Sequence, residues 1–166
     1  MPGQAQPIPQ GYRTVTPYLV VDDAAKAIEF YKRAFDAKEK YRMEGPPGKI
    51  GHAEVQIGDS MIMLADEMPQ MDTKAPRSLG GTTAGVFIYV KDVDAAFNRA
   101  ASAGAKVTTP LADMFWGDRY GKLTDPFGHS WSMATHKEDV APEEMKKRME
   151  AEMTARQSGQ KTRTAG

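Results

Sequence analysis

His52 and Glu54 are the first residues of this chain whose types and spacing could do chemistry. They lie two apart in a run, His52 to Ile57, that alternates between polar and apolar residues as a β-strand does. Side chains two apart on a strand point to the same face, so the imidazole and the carboxylate should be neighbours. Such a pair can transfer protons or bind a cation. Two ligands alone make a poor metal site, and a half-exposed polar strand face has the same pattern. We therefore treat His52 and Glu54 as candidate catalytic residues.

A second group of polar and aromatic residues precedes the last predicted hairpin. The indole of Trp116 can stack on a planar ligand or anchor its own loop. The guanidinium of Arg119 can bind a carboxylate or phosphate through two hydrogen bonds, or it can pair with Asp118 or Asp125. The sequence favours the ion pair for Arg119 and leaves both roles open for Trp116.

The other histidines and two methionines carry weaker signals. His129 follows Gly128 at a turn, which favours a structural or solvent-facing role, and His136 follows the last strand without a motif. Met61 and Met63 alternate on one predicted strand, where thioethers form either an adaptable wall of a binding site or ordinary core.

The composition excludes several classes of function. The chain has 166 residues and no cysteine, which excludes disulfides, thiolate catalysis and cysteine zinc sites. Lys and Arg total 22, as do Asp and Glu, so the net charge gives no electrostatic basis for binding nucleic acid or an anionic membrane. No apolar run approaches the roughly 20 residues of a membrane span, and the N-terminus lacks signal-peptide features. We expect a cytoplasmic protein without nucleic-acid or membrane partners.

The elements that position these residues occur twice in the same order, βαβββ. The first half has a strand at 14–21, a helix at 24–35 after Asp22 or Asp23, and strands at 38–43, 52–57 and 60–65. The second half has a strand at 85–90, a helix at 93–103 after Asp92, strands at 106–109, 120–124 and 130–135, and a loop at 110–117. Residues 20–23 align with 89–92 at an offset of 69, which supports an internal repeat.

One face of the predicted strands is apolar and the other is mixed. The apolar face should pack beneath the helices and comprises Val15, Pro17, Leu19, Val21, Ala53, Val55, Ile57, Ile62, Leu64, Val86, Ile88, Val90, Trp131 and Met133. The mixed face comprises Thr16, Tyr18, Val20, His52, Glu54, Gln56, Met61, Met63, Ala65, Gly85, Phe87, Tyr89, Ser130, Ser132 and Ala134. If the sheet curls, the mixed face lines a cleft whose apolar walls and few polar groups are typical of a binding pocket.

Five segments carry a resemblance to a known family. Residues 17–31 (PYLVVDDAAKAIEFY), 86–97 (VFIYVKDVDAAF) and 125–131 (DPFGHSW) resemble signatures of the vicinal-oxygen-chelate superfamily of glyoxalases, bleomycin resistance proteins and dioxygenases. Residues 51–64 (GHAEVQIGDSMIML) and 114–121 (MFWGDRYG) resemble its PhnB-like branch. The resemblance spans about residues 14–135. It implies an α+β fold in which two βαβββ modules form a curved mixed sheet around a cleft, with helices on the outer face.

The resemblance also implies four metal-ligand positions, which enzymes of this superfamily fill with His or Glu and sometimes Gln. These positions fall on Thr16, Met63, Gly85 and Ser132. Hydroxyls, a thioether and a glycine are not normal ligands of Zn, Ni, Mn or Fe, so we expect no metal and no other cofactor. Non-metal members are typified by bleomycin-binding resistance proteins, which sequester a drug in the cleft of a dimer.

The leading hypothesis is a metal-free homodimer that binds a small aromatic or amphipathic molecule in its cleft. The expected ligand-binding residues are Tyr18, His52, Met63, Phe87, Trp116, Arg119 and Tyr120. The alternative is a glyoxalase or dioxygenase type of enzyme that uses a displaced divalent metal or acid–base chemistry at His52 and Glu54.

The chain divides into one folded region with tails. We expect a flexible arm at 1–13, modules at 14–66 and 84–136, a linker at 67–83, and a C-terminal helix and disordered tail at 137–166. Pro142 can open that helix, on which Met145, Met149 and Met153 form an apolar stripe. The stripe can pack on the domain, dock on a second subunit or be the functional surface of an interaction module.

Overall fold

The computed structural model describes residues 5–163, with side chains through residue 157. Residues 1–4 of the expected arm and 164–166 of the expected tail lie outside the described residues. The strands are β1 (Tyr18–Val21), β2 (Lys38–Glu44), β3 (Ile50–Ile57), β4 (Ser60–Asp66), β5 (Gly85–Tyr89), β6 (Lys106–Asp113), β7 (Asp118–Thr124) and β8 (Ser130–His136). The helices are α1 (Ala24–Phe35), α2 (Pro76–Leu79), α3 (Val93–Ala103) and α4 (Pro142–Arg163), with a 3-10 turn at Pro69–Met71.

The strands form two four-stranded mixed sheets of identical topology. The first sheet has the order β1-β4-β3-β2 and the second has the order β5-β8-β7-β6. In each sheet the first strand runs parallel to the last strand of its module, and the other neighbours are antiparallel. The chain is therefore an α+β protein of two βαβββ modules, as the sequence predicts.

The two long helices begin at the aspartates that the sequence offers as caps. The carboxylates of Asp23 and Asp92 accept hydrogen bonds from the backbone N–H groups of Lys26 and Ala95, each at 3.0 Å. Gly104 ends α3 with a left-handed backbone (φ 119°), a conformation that glycine adopts without steric cost.

The apolar face of each sheet is buried, and one core spans both modules. Leu64 and Trp131 are fully buried, whereas Tyr18 and Phe87 on the mixed face are 51% and 48% exposed. Helix α1 of the first module packs against helix α3 of the second. The ring of Phe35 in α1 lies 4.3 Å from that of Trp131 in β8, so the helix of the first module is packed on a strand of the second.

Two strands differ from their predicted bounds by four residues, and the other six differ by one or two. The first strand begins at Tyr18 rather than at residue 14, because its ladder with β4 begins only where Met63 N donates to the carbonyl of Pro17 at 2.9 Å. The sixth strand continues through Pro110 to Asp113, although 110–117 is predicted to be a loop. It is an edge strand with irregular pairing on both sides of Thr109, which tolerates the missing N–H of a proline.

Hydrogen bonds hold part of the segment between the modules in a defined conformation. The Glu67 carboxylate accepts hydrogen bonds from Ala75 N at 2.9 Å and Ser78 Oγ at 3.0 Å. These contacts hold the single turn of α2 against the end of β4, and they lower the pKa of Glu67.

The described contacts between the C-terminal helix α4 and the rest of the chain are mainly polar. Arg148 donates two hydrogen bonds to Glu138, at 2.8 and 2.9 Å. Met149 and Met153, two members of the predicted stripe, are 41% and 55% exposed. None of the helices within residues 5–163 is long and apolar enough to cross a membrane.

Candidate functional site

A cavity of about 960 Å³ lies where β1 and β5 approach each other. In the described part of the chain, β1 is paired only with β4 and β5 only with β8, so the edges of two sheets meet here without a shared ladder. His129, the residue before β8, connects the two sheets, since its Nε2 lies 2.8 Å from the carbonyl oxygen of Val20 in β1. Tyr18 and Phe87 line the cavity from opposite sides.

A second cavity, of about 550 Å³, lies at the other end of the seam between β1 and β5 and corresponds to the first by the internal repeat. Its lining includes Ser60 and Met61, which stand 69 positions before His129 and Ser130 of the first cavity. Phe87 lines both. The internal repeat therefore extends from the order of elements to the cavities between them.

The first module brings three polar side chains into a chain of hydrogen bonds. Tyr18 Oη lies 3.1 Å from His52 Nδ1, and His52 Nε2 lies 3.3 Å from Glu54 Oε1. Tyr18 and Glu54 are both register partners of Met63, so they lie in one row across the sheet. Burial raises the pKa of Tyr18, so its phenol stays protonated at neutral pH. The structure thus places His52 beside Glu54 and adds Tyr18 to the pair.

Residues just before β1 lie against this row. Tyr12 is half-buried, and burial raises its pKa to about 12, with the nearby Glu54 carboxylate adding to the rise. Thr16 Oγ1 donates to the carbonyl of Arg13 at 3.3 Å, which engages the hydroxyl of Thr16 locally.

The second module contributes a cluster of aromatic rings. The ring of Phe87 stacks on that of Tyr120 with centroids 5.8 Å apart, and Trp116 meets Tyr120 edge-on at 5.7 Å. Tyr89 lies 4.9 Å from Phe87. The hydroxyl of Tyr120 is hydrogen-bonded to Ser132 Oγ at 3.1 Å. Three of the predicted binding residues are therefore brought together, because Phe87 and Trp116 both contact Tyr120.

Asp118 organises one end of this cluster, a role that the sequence does not reveal. It is 4% exposed and accepts hydrogen bonds from Tyr89 Oη at 3.0 Å and Trp116 Nε1 at 3.1 Å. His136 Nδ1 lies 2.7 Å from its other oxygen, and His136 Nε2 lies 2.9 Å from Asp139. Hydrogen bonds to Asp118 and then to Asp139 raise the pKa of His136. The sequence carries no signal for this contact, because it depends on the pairing of residue 118 with residue 136 in a strand β7 that begins at Asp118 rather than at Tyr120.

Arg119 is engaged in an ion-pair network. Its guanidinium donates two hydrogen bonds of 2.7 Å to Asp94 and one of 3.3 Å to Asp113. These carboxylates raise the pKa of Arg119. The structural ion pair that the sequence favours is present, with Asp94 and Asp113 as partners instead of Asp118 or Asp125.

A protein-family model matches the chain from just before β1 into β8. The family model described as the Glyoxalase/Bleomycin resistance protein/Dioxygenase superfamily matches residues 13–133. The chain belongs to this superfamily. Uncharacterized protein Rv0887c of Mycobacterium tuberculosis is 48% identical over 141 residues, covering 83% of this chain and 83% of that protein.

Solved structures of the superfamily share the fold. TioX from Micromonospora sp. ML1 is 30% identical, with a TM-score of 0.60, over 75% of this chain and 98% of TioX. A PhnB protein from Bacillus cereus, described as a putative 3-demethylubiquinone-9 3-methyltransferase, matches with a TM-score of 0.58 over 74% of this chain and 99% of that chain. At 18% identity, the latter shows a common fold alone.

The divalent metal of many superfamily enzymes does not fit the residues of this member. The hydroxyls of Thr16 and Ser132 are hydrogen-bonded to protein groups, Met63 offers a thioether and Gly85 has no side chain. His52 and Glu54, the candidates for a displaced site, supply only two ligands, and both ring nitrogens of His52 lie within hydrogen-bond distance of protein groups. Residues 5–163 contain no group of three or more His, Asp or Glu side chains that could hold a metal ion.

Proposed function

We propose that this superfamily member binds a small aromatic or amphipathic molecule in the cleft between its modules, without a metal and as a cytoplasmic homodimer. The observation that carries the proposal is the cavity of about 960 Å³ at the seam of β1 and β5. Its volume lies in the range of roughly 300–1,000 Å³ that is usual for small-molecule sites. Its lining combines aromatic and aliphatic side chains with a few hydrogen-bonding groups, a composition that favours a planar, mostly apolar ligand.

The proposed binding residues come from both modules. They are Tyr18 and Phe87, which line the cavity, together with His52, Met63, Trp116, Arg119 and Tyr120, which lie outside its lining. Aromatic rings supply a large apolar contact with defined stacking geometry, and the row from Tyr18 to Glu54 supplies polar groups that orient a ligand. In this proposal Arg119 contributes through its carboxylate partners, which fix the start of β7 beside Trp116.

The homodimer is part of the proposal because the mixed face is too apolar for a free surface. Tyr41, Met43 and Tyr89 are 49%, 48% and 63% exposed, in addition to Tyr18 and Phe87. Contiguous exposed apolar patches usually mark interaction sites. A second copy of the chain would cover these side chains and close the cleft over its ligand.

Calorimetric titration with quinoline, 2-naphthol and naphthalene-2-carboxylate tests this proposal. We expect at least one compound to bind and Phe87→Ala to weaken that binding about tenfold, since stacking on one ring contributes up to roughly 1.4 kcal/mol. Met71→Ala is the matched control, because Met71 is 69% exposed in the 3-10 turn and does not line the cavity. Sedimentation of the same samples should give the mass of a dimer. Equal binding by both variants would contradict the site, and a monomer would contradict the dimer.

The second candidate function is acid–base catalysis on the bound molecule. It is favoured by one observation, the contact of 3.3 Å between His52 and Glu54, which is connected to the cavity through Tyr18. Under this reading His52→Ala abolishes turnover of a bound compound, whereas for a pure binding protein it only weakens binding. Assay of the bound compounds for chemical change, with both proteins, separates the two functions.

A further inference from the structure

The row formed by Glu54, His52 and Tyr18 has a preferred direction of hydrogen bonding. An ionised carboxylate only accepts hydrogen bonds, so Glu54 favours a proton on the facing Nε2 of His52. The neutral ring then has its lone pair on Nδ1, which accepts from Tyr18 Oη over 3.1 Å. Tyr18 therefore donates its hydrogen bond to His52, and the lone pairs of its oxygen are left for a group in the cavity.

The two ends of this row have different environments. The side chains of His52 and Glu54 are 21% and 24% exposed, and Tyr12 packs near Glu54. Tyr18 is 51% exposed and lines the cavity. The hydroxyl of Tyr18 is thus the end of the row that a ligand can reach, while the carboxylate lies at the shielded end.

We propose that Glu54, His52 and Tyr18 form a proton relay whose ligand-facing end is the Tyr18 hydroxyl, and that it binds an aromatic or enolic ligand through an acidic hydroxyl group. This inference rests on the proposed function, whose cavity it uses. On binding, the ligand O–H bond breaks and its proton goes to Tyr18 Oη, while the Tyr18 proton passes to His52 Nδ1. The products are a ligand oxyanion, which accepts from Tyr18, and a protonated His52 paired with Glu54.

The groups around His52 are consistent with this charge separation. Glu54 is on the same strand, Tyr18 approaches from β1, and the ring of Tyr41 in β2 lies 6.3 Å away. The Glu54 carboxylate can pair with the positive charge that the transferred proton gives to His52. Tyr18 stays neutral throughout and acts as the carrier, in line with its role as a hydrogen-bond donor.

The relay is confined to the first module, although the fold is repeated. In the second sheet Phe87 and Lys122 are both register partners of Ser132, as Tyr18 and Glu54 are of Met63. Phenylalanine has no hydroxyl, and lysine has no acceptor. One half of the cleft therefore offers proton-transfer chemistry and the other offers an aromatic wall and a cation.

Absorbance of 4-nitrophenol tests the relay, because its phenolate and phenol forms absorb at different wavelengths. We expect the pKa of the bound probe to fall by about one unit, as for an acid beside an opposite charge. His52→Gln and Tyr18→Phe should each abolish that fall. Tyr41→Phe is the matched control, since it removes a phenol hydroxyl from the same face but outside the relay, and it should leave the fall unchanged.

A second probe separates this inference from the proposed function. 4-Nitroanisole has the same ring without an acidic proton, so it reports whether the cleft of the wild-type protein and of each relay variant still binds an aromatic ring. If both probes bind but bound 4-nitrophenol keeps the pKa of the free probe, the relay is wrong and the binding cleft stands. If neither probe binds, the proposed function itself fails. A shift that survives in either folded relay variant also overturns the relay.

Discussion

The Tyr31 hydroxyl donates a hydrogen bond of 2.8 Å to Asp125 Oδ2, and this contact ties the helix of the first module to the last hairpin of the second. The same carboxylate oxygen accepts from Trp131 Nε1 at 2.9 Å. The other oxygen accepts from the backbone N–H groups of Phe127 and His129, each at 2.9 Å. The buried Asp125 carboxyl group thus accepts from four donors, which satisfy both of its oxygens inside the core. Burial and the neighbouring carboxylate raise the pKa of Tyr31 well above its ordinary value.

We predict that Asp125→Asn destabilises the fold by about 3 kcal/mol, because it places an amide N–H₂ group against donors that need an acceptor. Tyr31→Phe should cost less, about 1–2 kcal/mol, since Asp125 keeps its three other donors. Urea unfolding of both variants and the wild type measures the difference. Equal losses for the two variants would show that the charge of Asp125 is not what this junction requires.

His136 should make the stability of the protein depend on pH. Its pKa is raised in the folded state by Asp118 and then Asp139, so the folded protein binds the proton more tightly than the unfolded chain does. The contribution is complete below the ordinary histidine pKa of about 6.5 and is lost as pH rises through the raised folded value. The excess stability of the wild type over His136→Gln should therefore shrink as pH rises through that window.

Urea midpoints of both proteins between about pH 5 and pH 9 measure this excess, and other titrating groups cancel in the difference. Asp139→Asn is the control: it removes the weaker, exposed partner and should keep part of the pH dependence. An excess that stays constant over the whole range would contradict the proposed protonation of His136.

Strand periodicity and capping chemistry were sufficient to predict most of the fold. The apolar parity places Leu64 and Trp131 in the core, and the caps at Asp23 and Asp92 start the helices where predicted. Both signals are local, because they depend on side-chain alternation and on residues within one turn. The bounds of β6 were missed because Pro110 breaks most strands but is tolerated at an edge.

The candidate site was less predictable because its contacts are long-range. Tyr18 and His52 are 34 positions apart, and Tyr31 and Asp125 are 94 apart. Strand alternation assigns Tyr18 and His52 to one face but does not specify that β4 separates their strands. The contact between Asp118 and His136 depends in the same way on a cross-strand register, which the sequence alone did not supply.

Truncation after residue 141 tests the role of α4. Because Met149 and Met153 are exposed and Arg148 pairs with the nearby Glu138 and Glu144, we expect the shortened chain to keep its urea midpoint and its mass in solution. The truncation keeps residues 138–140. They pack so closely against Gly117 that a Cβ atom added at position 117 would collide with the carbonyl oxygen of Glu138. A change from dimer to monomer on truncation would instead assign the methionine stripe to subunit docking.

The central claim is that the cleft binds an aromatic molecule through side chains alone. Its most direct test is titration of chelator-treated protein with 2-naphthol in the presence and absence of added Zn²⁺, Ni²⁺ or Mn²⁺. We expect the same affinity under all conditions, with a loss of about tenfold in Phe87→Ala. Binding or turnover that arises only after a metal ion is added, and that is lost in His52→Ala or Glu54→Ala, would contradict it.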